Sequence, residues 1–486
     1  MEKVMNIIDG KEVPAESGEV FQNIDPSSEE VIAEVAKGSE ADVNKAVEAA
    51  ERAFYSGPWG KMAPAGRAAA LAQFSALIMK HVEKLAAIET RDVGKPIKFT
   101  QNMDAPLAGM IFSYYASVAD KLQGAYHLGD PNYVIVSYHE PIGVVGCIIP
   151  WNYPLLIAGL KLAPALAAGN TCVVKVSVDT PMSVTEVAKI ALEAGIPPGV
   201  VNVVHGPGRE VGEAIASHPC VRKVSFTGST EVGKRVGMLA AEQVKPVTLE
   251  LGGKNPNIVF DDADMDAAVS ASLFTAFINT GQICTSGSRI IVHKSIADEF
   301  ISRLVEKAKE LKQGPPSDPS TDQGPMISKG QYEKVLKCIE TGRKEAETIW
   351  EGTLPANLKK GFWIPIHIFR PKDQSSLLAK EEIFGPVLSI LTFDSEEEAI
   401  AIANDVAYGL SASFWTNDFR RVVRLSHAID AGIIWGNTVH YLNMDVPYGG
   451  HKMSGIGVEL GTEGAKAFMK PKCVYLNAGP DKVALK

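Results

Sequence analysis

The sequence predicts an α/β protein, a doubly wound parallel sheet followed by a second α/β unit. Three observations predict it. From residue 142 onward, apolar runs of strand length alternate with helix-length segments, the pattern of strands joined by right-handed helical crossovers. The apolar runs lack polar alternation, as strands covered on both faces require. The chain has 486 residues, and at roughly 150 residues per domain that is about two to four domains rather than one core.

Taken in order, residues 1–6 lead into a strand and a turn at Asp9-Gly10, with no apolar run of signal-peptide length. Ser39-Glu40-Ala41-Asp42 has the form of a capping box, and Val43, Ala46, Val47, Ala50 and Phe54 then recur at helical spacing. This is packing without chemistry. Residues 126–141 and 472–477 have the alternation of strands, as in Tyr133-Val134-Ile135-Val136-Ser137. Residues 142–149 form an apolar strand, 154–168 a helix ended by Gly169-Asn170, and 171–176 the next strand. Thr180 and Pro181 open a helix to 194; then come a strand at 200–204, a helix at 208–217, a strand at 221–226 and a helix at 229–243. After Lys254 the pattern gives a helix over 264–280, a loop around Cys284, a strand at 289–293, a helix at 296–312 and a Pro/Ser/Asp-rich surface loop at 314–325. The last strands are 387–393, 410–415 and 432–435, with helices at 396–404 and 418–428. Ser395-Glu396-Glu397-Glu398 is a capped acidic helix start rather than a charge tract.

Sheets of this kind bind nucleotides at the carboxyl ends of their strands. No Gly-x-Gly-x-x-Gly follows the first strand of the series. Instead Phe226-Thr227-Gly228-Ser229-Thr230-Glu231-Val232-Gly233 runs from a strand into a helix start, which serves either as a simple cap or as a set of free N–H groups for a phosphate. Two α/β halves with a cleft between them would set Cys284 opposite such a nucleotide.

Composition narrows the function classes. With 46% apolar and 22% charged residues, the chain has the make-up of a soluble globular protein. Its net charge of −9, from 48 basic and 57 acidic residues, argues against nucleic-acid binding, which calls for a basic face. Cys147, Cys172, Cys220, Cys284, Cys338 and Cys473 are scattered, with neither Cys-x-x-Cys spacing nor a histidine partner, so neither a disulfide framework nor a metal site is expected. The most apolar stretch, residues 155–168, is broken by Lys161 and Pro164 and is too short for a bilayer. A cytoplasmic protein with no nucleic-acid or membrane partner is the expectation.

Three segments carry chemistry: Pro150-Trp151-Asn152-Tyr153-Pro154, Glu250-Leu251-Gly252-Gly253-Lys254 and Gly281-Gln282-Ile283-Cys284. Cysteine is the strongest side-chain nucleophile, and at an unperturbed pKa of about 8.5 a few per cent is thiolate at neutral pH, enough to attack an aldehyde. A neutral amide such as Asn152 stabilises the resulting oxyanion. Loss of hydride leaves a thioester, against which a carboxylate such as Glu250 activates water. Glycines at 281 and 287, with Thr285 and Ser286, set Cys284 on a loop, whereas Cys172 and Cys220 read as buried small hydrophobes.

Together with Phe226-Thr227-Gly228-Ser229-Thr230 and Glu381-Glu382-Ile383-Phe384-Gly385-Pro386, these motifs stand in the order and near the spacing of the NAD(P)-dependent aldehyde dehydrogenase superfamily, which the chain resembles over almost its whole length. The resemblance implies a nucleotide-binding domain at residues 1–122 and 142–251, a catalytic domain at 252–471, and a small β oligomerisation arm at 123–141 and 472–486. It implies oxidation of an aldehyde to a carboxylic acid through a Cys284 thiohemiacetal and thioester, in a homodimer or homotetramer. Residue by residue, Cys284 matches the nucleophile, Glu250 the base and Asn152 the oxyanion donor, while Lys161 and Glu459 match positions associated with proton relay. NAD or NADP would lie against Ile148, Pro150, Trp151, Lys175, Ser177, Gly208, Arg209, Gly228, Ser229, Thr230, Glu231, Val232, Gly233, Leu251, Glu382 and Phe384. The aldehyde tunnel would be lined by Asp104, Leu107, Tyr153, Leu156, Ile157, Leu160, Ile283, Thr285, His440 and Tyr448.

Departures from the family pattern are specific. Its NAD-preferring members usually carry Lys-Pro-Ser-Glu, but here Lys175-Val176-Ser177-Val178 lacks the ribose carboxylate, and Arg209 follows Gly208 where proline is common. Losing a carboxylate relieves repulsion of a ribose phosphate, and arginine pairs with one bidentately, so acceptance of NADP is the expectation. Arg209 as a plain surface charge is the competing reading. The mostly apolar tunnel suits an aliphatic or aromatic aldehyde. Asp104 reads as a lone solvated carboxylate at its mouth, a poor anchor for a cationic aminoaldehyde, and no arginine pair favours a dicarboxylic semialdehyde. Glu250 argues against a CoA-acylating dehydrogenase, and the complete trio argues against a thiol esterase or a binding protein without oxidation chemistry.

Overall fold

The structure, a computed structural model, describes residues 2–479. Met1, and residues 480–486 of the expected arm, lie outside that range. Two sheets form the frame. The first has eight strands in the order Gly455–Ile456, Val247–Glu250, Val221–Thr227, Val144–Ile148, Thr171–Lys175, Val201–Val203, Asn6–Ile8 and Lys11–Val13. Its five central strands are parallel and alternate in sequence with helices that include Pro154–Ala167, Met182–Glu193 and Thr230–Glu242. The edge pairs are antiparallel. Short edge segments arrive from the N-terminus and from residues 455–456 and need no crossover helix.

Strand order locates a binding crevice. From Val144–Ile148 the chain moves outward through Thr171–Lys175 to Val201–Val203, then returns to the other side of Val144–Ile148 to lay Val221–Thr227 and Val247–Glu250. The reversal opens a gap at the carboxyl ends of Val144–Ile148 and Val221–Thr227, the usual seat of a nucleotide.

The second sheet runs Ala346–Glu351, His367–Pro371, Val387–Phe393, Arg289–His293, Pro256–Val259, Ser411–Trp415 and Ile433–Gly436, parallel except for its first pair. Only residues 251–255 separate the last parallel strand of the first sheet from Pro256–Val259. The carboxyl edge of one sheet therefore faces the amino edge of the other. Asn255 spans the junction, its Nδ2 donating to the carbonyls of Cys284 at 2.8 Å and Ser286 at 2.9 Å.

Several expected elements change form. The helix expected at 208–217 opens with a π-helical turn, Gly208–Gly212, before Glu213–Ser217. The helix Glu40–Glu51 widens into another at Arg52–Ser56, so Ala53 rather than Phe54 is buried. The helix expected to reach 280 stops at Phe277, and Asn279, Thr280 and Gly281 follow with φ of 50°, 57° and 74°. The 314–325 loop is not simply surface, since Thr321 and Gln323 are buried and Gln323 Nε2 donates to Phe277 O at 2.7 Å. Helices Pro64–Lys80, Val82–Val93, Ala105–Val118 and Lys329–Glu345 come in addition to the elements read from the sequence. Strands Ala125–His127, Tyr133–Pro141 and Met469–Asn477 pair as a separate three-stranded antiparallel sheet. Among the described residues no helix is long and apolar enough to cross a membrane.

Candidate active site

The crevice of the first sheet and the amino edge of the second open into one cavity of ≈ 240 Å³. Every expected tunnel residue lines it, from Asp104 to Tyr448, together with Asn152, Glu250, Cys284 and Glu459.

The chain reaches Cys284 through three successive left-handed residues. At Gly281 a Cβ would stand 2.3 Å from Gly385 O, so only glycine fits. Asn279 and Thr280 adopt the same region at a cost of about 1 kcal/mol each and are held there by hydrogen bonds. Asn279 Nδ2 donates to Asn152 O at 3.2 Å and to Gln282 O at 3.1 Å, and Thr280 Oγ1 to Gly324 O at 3.1 Å. Asn152 Nδ2 in turn donates to Gln282 O at 3.1 Å. Amide and thiol loop are thus fixed to each other across the two halves.

Electrostatics departs from the unperturbed expectation. Burial, reinforced by Glu382, pushes the Cys284 thiol up to about 12, and Tyr448 Oη lies 3.9 Å from its sulfur. The few per cent of thiolate expected for a free cysteine is therefore not the resting state. Both carboxyl oxygens of Glu250 are buried without a hydrogen-bond partner. Burial, then the nearby Glu459, holds Glu250 well above the carboxylate range, against the pull of Lys161. Lys161 does not line the cavity; it sits behind it, with Nζ donating to Glu459 Oε1 at 2.7 Å and Ser225 Oγ at 3.1 Å. Glu459 is tied back to Tyr448 by two backbone hydrogen bonds of 2.7 Å.

The opposite wall fits a dinucleotide. Pro150, Trp151, Gly228, Ser229, Leu251, Glu382 and Phe384 line the cavity. Thr230, Glu231, Val232 and Gly233 form the first turn of the adjoining helix, whose Ser229 Oγ accepts from Val232 N–H at 3.4 Å. The motif caps its helix and, through Gly228 and Ser229, also faces the cleft. The hydroxyl of Thr227 is buried without a partner there. A Cβ on Gly233 would meet Leu251 at 2.3 Å, and one on Gly252 would meet Glu382 at 2.1 Å, so both glycines permit close approach. Glu382 accepts from Gly253 N–H at 3.0 Å while burial lifts it to about 7. Trp151 and Phe384 stack edge-on with centroids 5.3 Å apart. Farther out, Ile148 pairs with Lys175, whose amine burial lowers to about 8. Ser177 donates to Asp179 Oδ2 at 3.4 Å, and Gly208 and Arg209 are exposed.

Asp104 departs from the expectation of a lone solvated carboxylate. It is neither solvated nor alone: it is buried and bonded to the buried Lys95, whose Nζ also lies 3.8 Å from Glu89 and 3.4 Å above the Tyr153 ring. Glu89 Oε2 accepts from Leu155 N–H at 3.0 Å and Ser183 Oγ at 3.2 Å, clamping the start of the Pro154–Ala167 helix. A signal for Glu89 existed, since it stands four residues after Leu85 on the apolar face of its helix. Gln331, Lys334, Trp435, Leu442 and Met103 also line the cavity and were missed. Gln331 Nε2 holds Phe384 O at 2.9 Å, and Ser328, the cap of its helix, was the available cue. His440 bridges Thr275, at 2.9 Å, and Thr285, at 3.2 Å, so it braces the residue after the thiol as well as lining the tunnel.

Comparison with known proteins agrees with this geometry. A profile of the aldehyde dehydrogenase family matches residues 13–474. The chain is 44% identical over 469 residues to aldehyde dehydrogenase family 2 member B4, mitochondrial, of Arabidopsis thaliana, covering 96% of this chain and 87% of that protein. It superposes with a TM-score of 0.96 on an NAD-dependent aldehyde dehydrogenase from Sinorhizobium meliloti, at 38% identity over 99% of this chain and 96% of that one. It matches equally, at 0.96 and 40% identity over 98% and 97%, an NAD+ complex of an aldehyde dehydrogenase from Bacillus cereus.

Proposed function

The chain belongs to the aldehyde dehydrogenase family and oxidises aldehydes with a nicotinamide dinucleotide, and from that premise we propose how its own residues divide the work. Cys284 loses its thiol proton to solvent, the thiolate sulfur adds to the aldehyde carbon as the carbonyl pair moves onto oxygen, and Asn152 Nδ2 with the Cys284 backbone N–H holds the oxyanion. Bound NAD or NADP supplies the hydride acceptor; Trp151, Phe384 and Glu382 form the wall against which it would rest. Glu250 takes a proton from water as the oxygen bonds to the thioester carbon and the C–S pair returns to Cys284. Glu459, ion-paired with Lys161, receives that proton from Glu250. The observation that carries this reading is the convergence of Cys284, Asn152 and Glu250 on one cavity where the two sheets meet.

The finer assignments are also proposals. Val178 and the exposed Arg209 support use of NADP beside NAD, and unchanged NADP specificity in Arg209→Ala would remove that role. Apolar walls at Leu107, Leu156, Ile157, Leu160 and Leu442, with the Asp104 charge already engaged by Lys95, support an uncharged aliphatic or aromatic aldehyde over a cationic one. Residues 1–122 and 142–251 are taken as the nucleotide-binding domain, 252–471 as the catalytic one. The exposed apolar side chains of the separate small sheet, Tyr126, Tyr475 and Leu476 among them, and of Leu128 in its connecting loop, support an arm that pairs subunits into a dimer or tetramer. Unpaired cysteines support a reducing, cytoplasmic setting. The test is reduced-cofactor formation with NAD and NADP in parallel, over aliphatic, aromatic and amino aldehydes, with Cys284→Ala as control. Cysteine-dependent turnover is expected, and cysteine-independent turnover would overturn the nucleophile assignment.

A further inference from the structure

A buried polar file behind Glu250 extends farther than the steps above use. On the strand Val221–Thr227, Lys223, Ser225 and Thr227 share one face; on its parallel neighbour, Thr248 and Glu250 share the same face, in the register Ser225 opposite Thr248 and Thr227 opposite Glu250. Lys161 closes over this face through Ser225. Lys223 is 2% exposed, and its Nζ donates to Thr248 Oγ1 at 2.7 Å and lies 5.1 Å from the Phe468 ring. The file thus contains two carboxyls and two amines: Glu250, Glu459, Lys161 and Lys223. Lys161 is paired with Glu459. Lys223 hydrogen-bonds a neutral hydroxyl, a costly way to bury an amine unless its charge has a use.

We propose that Lys223 is a positioning residue for thioester hydrolysis, its ammonium balancing the second carboxylate of the Glu250 and Glu459 pair so that both are ionised when Glu250 takes its proton from water. This rests on the reading of Glu250 as base. The groups that face Glu250 are Glu459, Lys161, Cys284 and Tyr448. Those that face Lys223 are Lys161, Glu459 and Cys147, and Tyr115 faces Glu459 from the Ala105–Val118 helix. Burial, then Lys161, lowers Lys223 to about 8, which leaves it mostly charged at neutral pH. Without it, two carboxylates share one buried cation, and one of them retains its proton to higher pH. An unready base slows hydrolysis and leaves acylation of Cys284 untouched.

Hydrolysis of p-nitrophenyl acetate separates these steps with no cofactor present: the burst of p-nitrophenolate reports acylation, the plateau reports hydrolysis. Lys223→Met is expected to keep the burst and to move the rising limb of the plateau's pH profile upward by about one unit, a roughly tenfold loss on the acid side. Lys223→Arg is expected to restore it. Thr248→Val, which removes the hydrogen bond and favours the neutral amine, is expected to move the limb in the same direction by less, and it carries the test should Lys223→Met fail to fold. A limb that stays in place, or a loss of burst and plateau alike at every pH, overturns the proposal. A full plateau in Glu250→Gln would instead remove the base assignment, so the two failures are told apart.

Discussion

Burial raises both the Cys284 thiol and the Glu250 carboxyl above their ordinary values, and this sets the behaviour expected at the residue scale. Glu250→Gln keeps the oxyanion site and the thiol but not the base, so stopped-flow traces should retain a burst of reduced cofactor while steady turnover falls by about 10²-fold or more. Cys284→Ala should show neither phase. Because the Glu250 carboxyl is raised, the basic form accumulates only as pH climbs past that elevated value. The rising limb of the hydrolysis-limited rate should therefore lie above the ordinary carboxylate range of about 4 to 5, and a limb inside that range would contradict the burial argument. Lys95→Met should cost about 3–5 kcal/mol in denaturant unfolding, since it strands Asp104 and Glu89 against the Tyr153 ring without their cation. The proposed trio, which the structure brings to one cavity, was legible in the sequence because its residue types follow from the chemistry. The Lys95 cluster was not, because pairing between Lys95, Glu89 and Asp104 depends on how a π-helical turn at Thr100–Asp104 folds back on its neighbours.

Elements hold these residues through tertiary bonds, and two substitutions measure them. Asn255→Ala should leave the Cys284 and Ser286 carbonyls and the Ser411 N–H without their partner. It should cost about 2–4 kcal/mol and lower kcat more than it raises KM, because it frees the nucleophile loop rather than the tunnel. Asp92, which accepts from Met182 N–H at 2.8 Å and joins the Val82–Val93 helix to the start of the next sheet helix, is raised by burial to about 8. Its unfolded value is about 4. The folded state then binds the proton between these values while the unfolded state does not, so stability is full below about 4 and falls as pH rises toward about 8. Asp92→Asn should remove that loss. Melting curves of the two proteins should converge near pH 4 and separate in favour of the variant by pH 8. At this scale the central strands were legible from unbroken apolar runs, and the caps at Ser229 and Ser395 from their residue types. The end of the Met265–Phe277 helix was not, since Asn279 and Thr280 occupy left-handed backbone only because distant carbonyls receive their side chains.

For the whole molecule, Leu476 on the small sheet is 54% exposed and Leu128 in its connecting loop 93%, with no cover from the other described residues. If it is the subunit contact, Leu476→Asp should shift sedimentation toward a smaller species while leaving the thiol burst of each subunit intact; unchanged sedimentation would place the contact elsewhere. The sequence by itself determined the α/β class and, through the order of its motifs, the family, because apolar periodicity and side-chain chemistry are local properties. Tertiary structure alone decided that the carboxyl edge of one sheet meets the amino edge of the other. It also decided that Asp104 is engaged by Lys95, and that burial raises the Cys284 thiol and the Glu250 carboxyl above their ordinary values. Those depend on which groups are taken out of water together, and burial is a property of the assembled chain, not of any segment.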